Sequence, residues 1–257
     1  MRGITPALCA ARAALCFAAL CVASEAALAA RHAQAPGLAP GARVGIVNLL
    51  DAEVTHFHAA RQVQDSFLKT YKVSWPVNAM LLAALTEGLT QAGLRAVPAA
   101  ATEDRSRVRE ECFLNAELAR GLPKNCAALL AKLAGAEHLD ALIVLGPGLN
   151  DGARAGRGRH TELPEYLRGW CVVSGQRANS APLLLNFTQL VLISVPAEGP
   201  VLIGRETGGE AQSWPDYQAP ADLKAMKEEQ IDPLRPAFAA MLKQQTDALL
   251  AHLQAAR

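Results

Sequence analysis

The sequence predicts an α/β fold: a single three-layer-like domain with a mixed sheet and a C-terminal helix. The strand order is β-α-β-α-β, then antiparallel strands. Three observations predict it. Short apolar runs alternate with helical periodicities over residues 43–145. Strand-like runs then follow one another over 170–205 with no long helix between them. Last, an apolar stripe of period 3.6 closes the chain.

The elements follow in order. Residues 31–42 carry Pro36, Gly37, Pro40 and Gly41 and read as a flexible tether. In Arg43–Leu50, Val44, Ile46 and Val47 mark a strand. Asp51–Trp75 is polar and aromatic and reads as a long insertion. Pro76 suits a first helical position, and Val77, Met80, Leu81, Ala84, Leu85 and Leu89 recur at helical spacing before Gly93 stops the helix. Arg95–Ala99 is a second strand, so the first two are parallel with a right-handed crossover. Thr102–Arg120 and Asn125–Leu133 read as helices, the second ending near Gly135. Ala141–Leu145 is a continuous apolar run, as in a strand covered on both faces. Trp170–Val173, Leu183–Val195 and Val201–Arg205 are strands, the last two joined by the turn Pro196–Pro200. The long apolar strand 183–195 would offer an edge for self-association. The final helix takes Asp232 as N-cap and Pro233 at its first position, with Leu234, Phe238, Met241, Leu242, Leu249 and Leu253 as its stripe.

Residues 1–30 read as a secretory signal peptide. Arg2 and Arg12 precede a short apolar stretch, and small residues follow around Ala27-Leu28-Ala29. The expected compartment is therefore the periplasm or the exterior. Of 257 residues, 51% are hydrophobic and 19% charged, which excludes a disordered chain. The formal net charge is +1, and removal of the signal leaves 23 basic and 23 acidic residues. A nucleic-acid partner is not expected from such a balance. Export also leaves three cysteines, of which Cys112 and Cys126 are the natural disulfide pair and Cys171 a buried thiol.

This order of elements behind a signal peptide resembles a class of exported bacterial α/β envelope domains. The class includes the curli-secretion lipoprotein, the outer-membrane activators of penicillin-binding proteins and the N-terminal domain of the Tol propeller protein. The resemblance covers residues 43–205 and implies binding or scaffolding in the envelope. The insertions 51–75 and 146–168 depart from its pattern. The segment Val54-Thr55-His56-Phe57-His58 is similar to the start of uncharacterised exported bacterial proteins.

No hydrolase elbow, P-loop or Cys-x-x-Cys motif is present, and Ser174 has no partner placed by sequence. Three groups of residues are candidate ligand contacts. The first is Asp51–His58, after the first strand, where open α/β sheets bind ligands. His56 and His58 on an extended segment lie on one side about 7 Å apart. They could share a divalent transition metal with Asp51 or Glu53 as oxygen ligands. The second is the loop from Gly146 to His160, with Gly146 and Gly148 opening a glycine run and Arg154, Arg157 and Arg159 able to hold an anion. The third is three aromatic pairs, Tyr71 with Trp75, Tyr166 with Trp170, and Trp214 with Tyr217, suited to a binding surface.

The expectation is an exported protein, without a resident cofactor, that recognises an envelope protein or cell-wall ligand through loops at the carboxyl end of the parallel strands. The mature chain is expected to have no transmembrane segment. The alternative is a metal-dependent hydrolase using His56 and His58.

Overall fold

The computed structural model describes residues 38–60, 62–99, 105–114, 118, 121–148, 167–175, 181–208, 212–214 and 227–255. In chain order its strands and helices begin with β1 (Arg43–Asn48), β2 (Glu53–His58), β3 (Phe67–Lys72), α1 (Val77–Gln91) and β4 (Arg95–Pro98). There follow α2 (Arg105–Phe113), α3 (Lys124–Glu137), β5 (Ala141–Pro147), β6 (Gly169–Ser174) and β7 (Leu183–Ser194). The last are β8 (Val201–Thr207), β9 (Gln212–Ser213) and α4 (Arg235–Ala255).

The expected β-α-β-α-β core is present. β1 lies between β4 and β5 and is parallel to both. The antiparallel strands are also present, with β7 against β5 and β8. β7 organises the rest. Its residues from Thr188 to Ser194 pair with β5, and the next position, Phe187, begins the pairing with β6. β1 pairs with β5 in the same way that β2 pairs with β6, both in parallel. The mixed sheet therefore consists of two halves, β4-β1-β5-β7-β8 and β3-β2-β6-β7-β9, with β7 common to both.

The stretch 51–75 is not an irregular insertion. It holds the antiparallel hairpin β2–β3, with Val54 opposite Tyr71 and His56 opposite Lys69. The alternation is present, but two of its three inward positions are histidines, so hydrophobicity alone hides it. β7 is likewise no free edge, since strands flank it on both sides along most of its length. Leu38 packs on the core, and the Gly41 amide donates to the Gly93 carbonyl at 2.7 Å. The domain thus begins within the stretch expected to be a tether.

Helices cover both faces of the first half. α1 buries Val77, Leu81, Leu85 and Leu89, one residue per turn, against Val44, Ile46 and the stripe of α4. It ends where Gly93 takes φ +68 and the Leu94 amide closes on the Leu89 carbonyl. Opposite, α2 and α3 pack on Val47, Leu142, Val144, Val191 and Ile193. Cys112 on α2 and Cys126 on α3 are disulfide-bonded, with Cα atoms 5.0 Å apart, as the sequence suggested. Cys171 is a buried free thiol, and burial pushes its pKa up to about 12.

All six expected stripe residues of the last helix are buried. Its start differs. A single 3-10 turn, Asp232–Leu234, precedes α4, and the Asp232 carboxylate accepts the Trp75 indole N–H at 2.9 Å instead of capping the helix. No helix among the described residues is long and apolar enough to cross a membrane.

Candidate functional site

The carboxyl ends of β1, β4 and β5 are where an open α/β sheet leaves backbone and loops free for a ligand. Here β1 does not end in solvent but turns into β2. Asn48 builds that turn. Its side-chain oxygen accepts from the Leu50 amide at 2.9 Å, and its amide donates to Asn78 on the first turn of α1 at 2.9 Å. Arg105, at the start of α2, donates to the Leu50 carbonyl at 2.7 Å.

A crevice of about 310 Å³ opens beside this turn. Ile46, Leu81, Leu82 and Pro98 line it with apolar surface, and Asn48, Asn78 and Arg105 supply its polar groups. A second crevice of about 240 Å³ lies at the seam between the two halves. Asp51, Glu53, Thr55 and Thr70 line it with Arg109 and Arg168. Pro147 and Leu167 bring to it both ends of the segment that joins β5 to β6. Asp51 connects the two crevices. It pairs with Arg105 at 3.6 Å and with Arg109 one helical turn further along α2. Both pairs are about 40% exposed, so they orient side chains more than they stabilise the fold.

Asp51 and Glu53 thus take part in a crevice, but not beside the histidines. Side chains alternate along β2, so Glu53 and Thr55 project to one face and Val54, His56 and His58 to the other. The two imidazoles do point the same way, as the extended reading requires. What they meet is a hydroxyl: His56 Nε2 lies 2.7 Å and His58 Nδ1 2.9 Å from Ser174 Oγ. Among the described residues no group of three or more His, Cys, Asp or Glu side chains is placed to hold a metal ion. The expected oxygen ligands Asp51 and Glu53 do not complete a metal site with this pair.

His56 is fully buried, and its pKa falls to about 4. Desolvation is the main cause, with the charges of His58 and Lys69 adding to it. The ring is therefore neutral at pH 7 and carries one N–H. Its Nδ1 has no hydrogen-bond partner among the described residues, whereas Nε2 faces Ser174. Burying an unpartnered N–H is costlier than placing the proton where an acceptor waits, so Nε2 holds it. Ser174 Oγ then accepts from His56 and donates its own hydrogen to His58 Nδ1. Phe67 packs on both rings, edge-on to His56 and stacked on His58. Gly175, at φ +81, follows directly, and a Cβ there would come within 2.5 Å of His58 Cε1. Only glycine lets His58 sit where it does.

No protein-family model and no curated protein matches the chain. Among solved structures, a hypothetical protein from Chlamydia trachomatis is similar, with a TM-score of 0.39 and 10% identity over 83% of this chain and 95% of that one.

The described members of the aromatic pairs do not form a surface. Trp75, Trp170 and Tyr71 are buried, and Trp75, Trp170 and Phe238 pack with ring centroids 5.4–5.9 Å apart. These rings fill the space under α4 because the second half of the sheet has no α1 to cover it. Trp214 is half-buried and packs against the same cluster. Gly146, within β5, and Gly148, just after it, are also structural. Gly146 makes room for the Phe113 ring, and the Gly148 amide donates to Phe187 at 2.8 Å. Arg154, Arg157, Arg159, His160, Tyr166 and Tyr217 lie outside the described residues.

Sequence reasoning missed Asn48, Asn78, Arg105, Arg109 and the partners of Ser174. The i, i+4 spacing of Arg105 and Arg109 places both on one helical face, which is a readable signal. The meeting of Ser174 with two histidines 118 and 116 residues away in sequence is not.

Proposed function

We propose that the protein is an exported binding or scaffolding protein of the cell envelope, which receives a ligand or a partner's side chain at the turn from β1 into β2. The observation that carries this reading is the 310 Å³ crevice at the carboxyl ends of β1 and β4. Its size reaches the lower end of the range of small-ligand sites, and it combines apolar walls with a few convergent polar groups. The second crevice extends the same surface with charges of both signs. The disulfide between α2 and α3 supports an oxidising compartment.

Ala79 is exposed and lines the crevice mouth, so Ala79→Trp fills it without touching the core. Full-length protein expressed with its own N-terminus should be recovered from the periplasmic fraction. Native mass spectrometry of that material should show a bound ligand or partner on the wild type and none on A79W. Recovery only from the cytoplasm, or identical spectra for the two proteins, would overturn the proposal.

A further inference from the structure

We propose that Ser174 is a nucleophile for acyl transfer, with His58 as its general base and small carboxylic esters as its substrate class. The proposal rests on the second half of the sheet and is independent of the crevices at β1.

The geometry is that of an activated hydroxyl. A serine becomes nucleophilic when a base lies within hydrogen-bond reach, about 2.6–3.2 Å, and a further group fixes the arrangement. His58 Nδ1 is 2.9 Å from Ser174 Oγ. His56 Nε2, at 2.7 Å, occupies the acceptor side of the same oxygen. Because the His56 proton sits on Nε2, the Ser174 hydrogen is directed to His58 and not shared between the two rings. The backbone fixes the pair as well. His58 and Ser174 are register partners on adjacent parallel strands, and the Ala59 amide donates to the Ser174 carbonyl at 2.8 Å. Gly175 then turns the chain at positive φ, leaving the space that the His58 ring needs. His56 and Ser174 are buried and His58 is half-buried, so the base is the member of the trio closest to solvent and a substrate would reach Ser174 past the His58 ring.

The chemistry balances without a metal or redox partner. Ser174 Oγ forms a bond to the ester carbonyl carbon as its proton passes to His58 Nδ1. The C–O bond to the alcohol breaks, and His58 returns the proton to the departing oxygen. Water then adds to the acyl-serine with His58 taking its proton. The acid leaves as Ser174 regains its hydrogen, so one water is consumed and one ester becomes an acid and an alcohol. His56 holds Oγ in place throughout and takes no proton.

The test uses full-length protein and a small alkyl fluorophosphonate, read by intact mass and by tandem mass spectrometry of the digest. The wild type should gain a single adduct on the peptide holding Ser174. Ser174→Ala should gain none. His58→Gln, which keeps a polar side chain of similar reach, should label at least about 100-fold more slowly, the usual contribution of a positioned base. Peptide mapping of the wild type locates the adduct even if Ser174→Ala fails to fold. Folded wild-type protein that takes no adduct, an adduct at another residue, or unchanged labelling in folded His58→Gln would each overturn the proposal.

Discussion

At the scale of single residues, the second half of the sheet depends on a histidine that must stay neutral. The His56 pKa is lowered to about 4 in the fold, against 6.5 in an open chain. The unfolded chain therefore takes up a proton as pH falls through 6.5, and the native state does not until about 4. The contribution of neutral His56 to stability is fully present above pH 6.5 and is lost progressively between these values. The full loss is about 3 kcal/mol for a shift of this size. Urea denaturation at pH 7.5 and pH 4.5 should show this loss in the wild type and a smaller one in His56→Gln. A second residue, Gly175, carries its cost in the backbone. Gly175→Ala forces a Cβ into the His58 ring at positive φ and should destabilise by about 1–3 kcal/mol. Ala at Gly41, also at positive φ but with nothing within 4 Å, should cost less, since only the backbone strain remains. Paired denaturation midpoints of the two variants check this difference.

At the scale of elements, what the sequence revealed follows from what each element buries. α1, α3, α4, β5 and β7 bury apolar side chains at regular spacing or in continuous runs, and their existence was legible from that pattern. β2 and β3 were not, because a strand that buries Val54 and His56 does not present an apolar alternation. The same reason hid the site: Ser174 ends an apolar strand, and its two partners lie on a strand that hydrophobicity does not mark. The aromatic residues misled in the opposite sense. Trp75 and Trp170 resemble surface anchors in sequence, yet they fill the volume beneath α4. The α2–α3 pair is held by the Cys112–Cys126 disulfide, which spans 14 residues. Opening it with Cys112→Ala/Cys126→Ala should cost about 3 kcal/mol, by the loop-closure model for a loop of this length. Comparison of denaturant midpoints with the wild type, under non-reducing conditions, measures it. The loss should leave the His56 pH dependence unchanged, since the disulfide packs in the separate cluster on the opposite face of the first half.

At the scale of the whole molecule, the two halves of the sheet cannot be separated, because each takes β7 as an inner strand. Leu190, which is buried, belongs to the part of β7 that pairs with β5 and β8. Trp75 and Trp170 report on the other half. Leu190→Ala should cost about 2–5 kcal/mol. The tryptophan fluorescence transition and the far-UV circular dichroism transition should move together, as one cooperative unit requires. A shift in one signal without the other would show that the halves unfold independently.

The position of β7 in the chain also governs when the fold can be completed. Its first residue, Leu183, comes after more than two-thirds of the sequence, and α4, which supplies Phe238 to the tryptophan cluster, comes later still. A chain emerging N-terminus first presents β1 to β6 before the strand that joins them exists. The two halves of the sheet cannot be joined before β7 is made, so the longest-range pairings come last. A chain released from synthesis therefore completes its fold only once its last third is available, so joining the two halves is a late step that truncation before residue 183 would prevent.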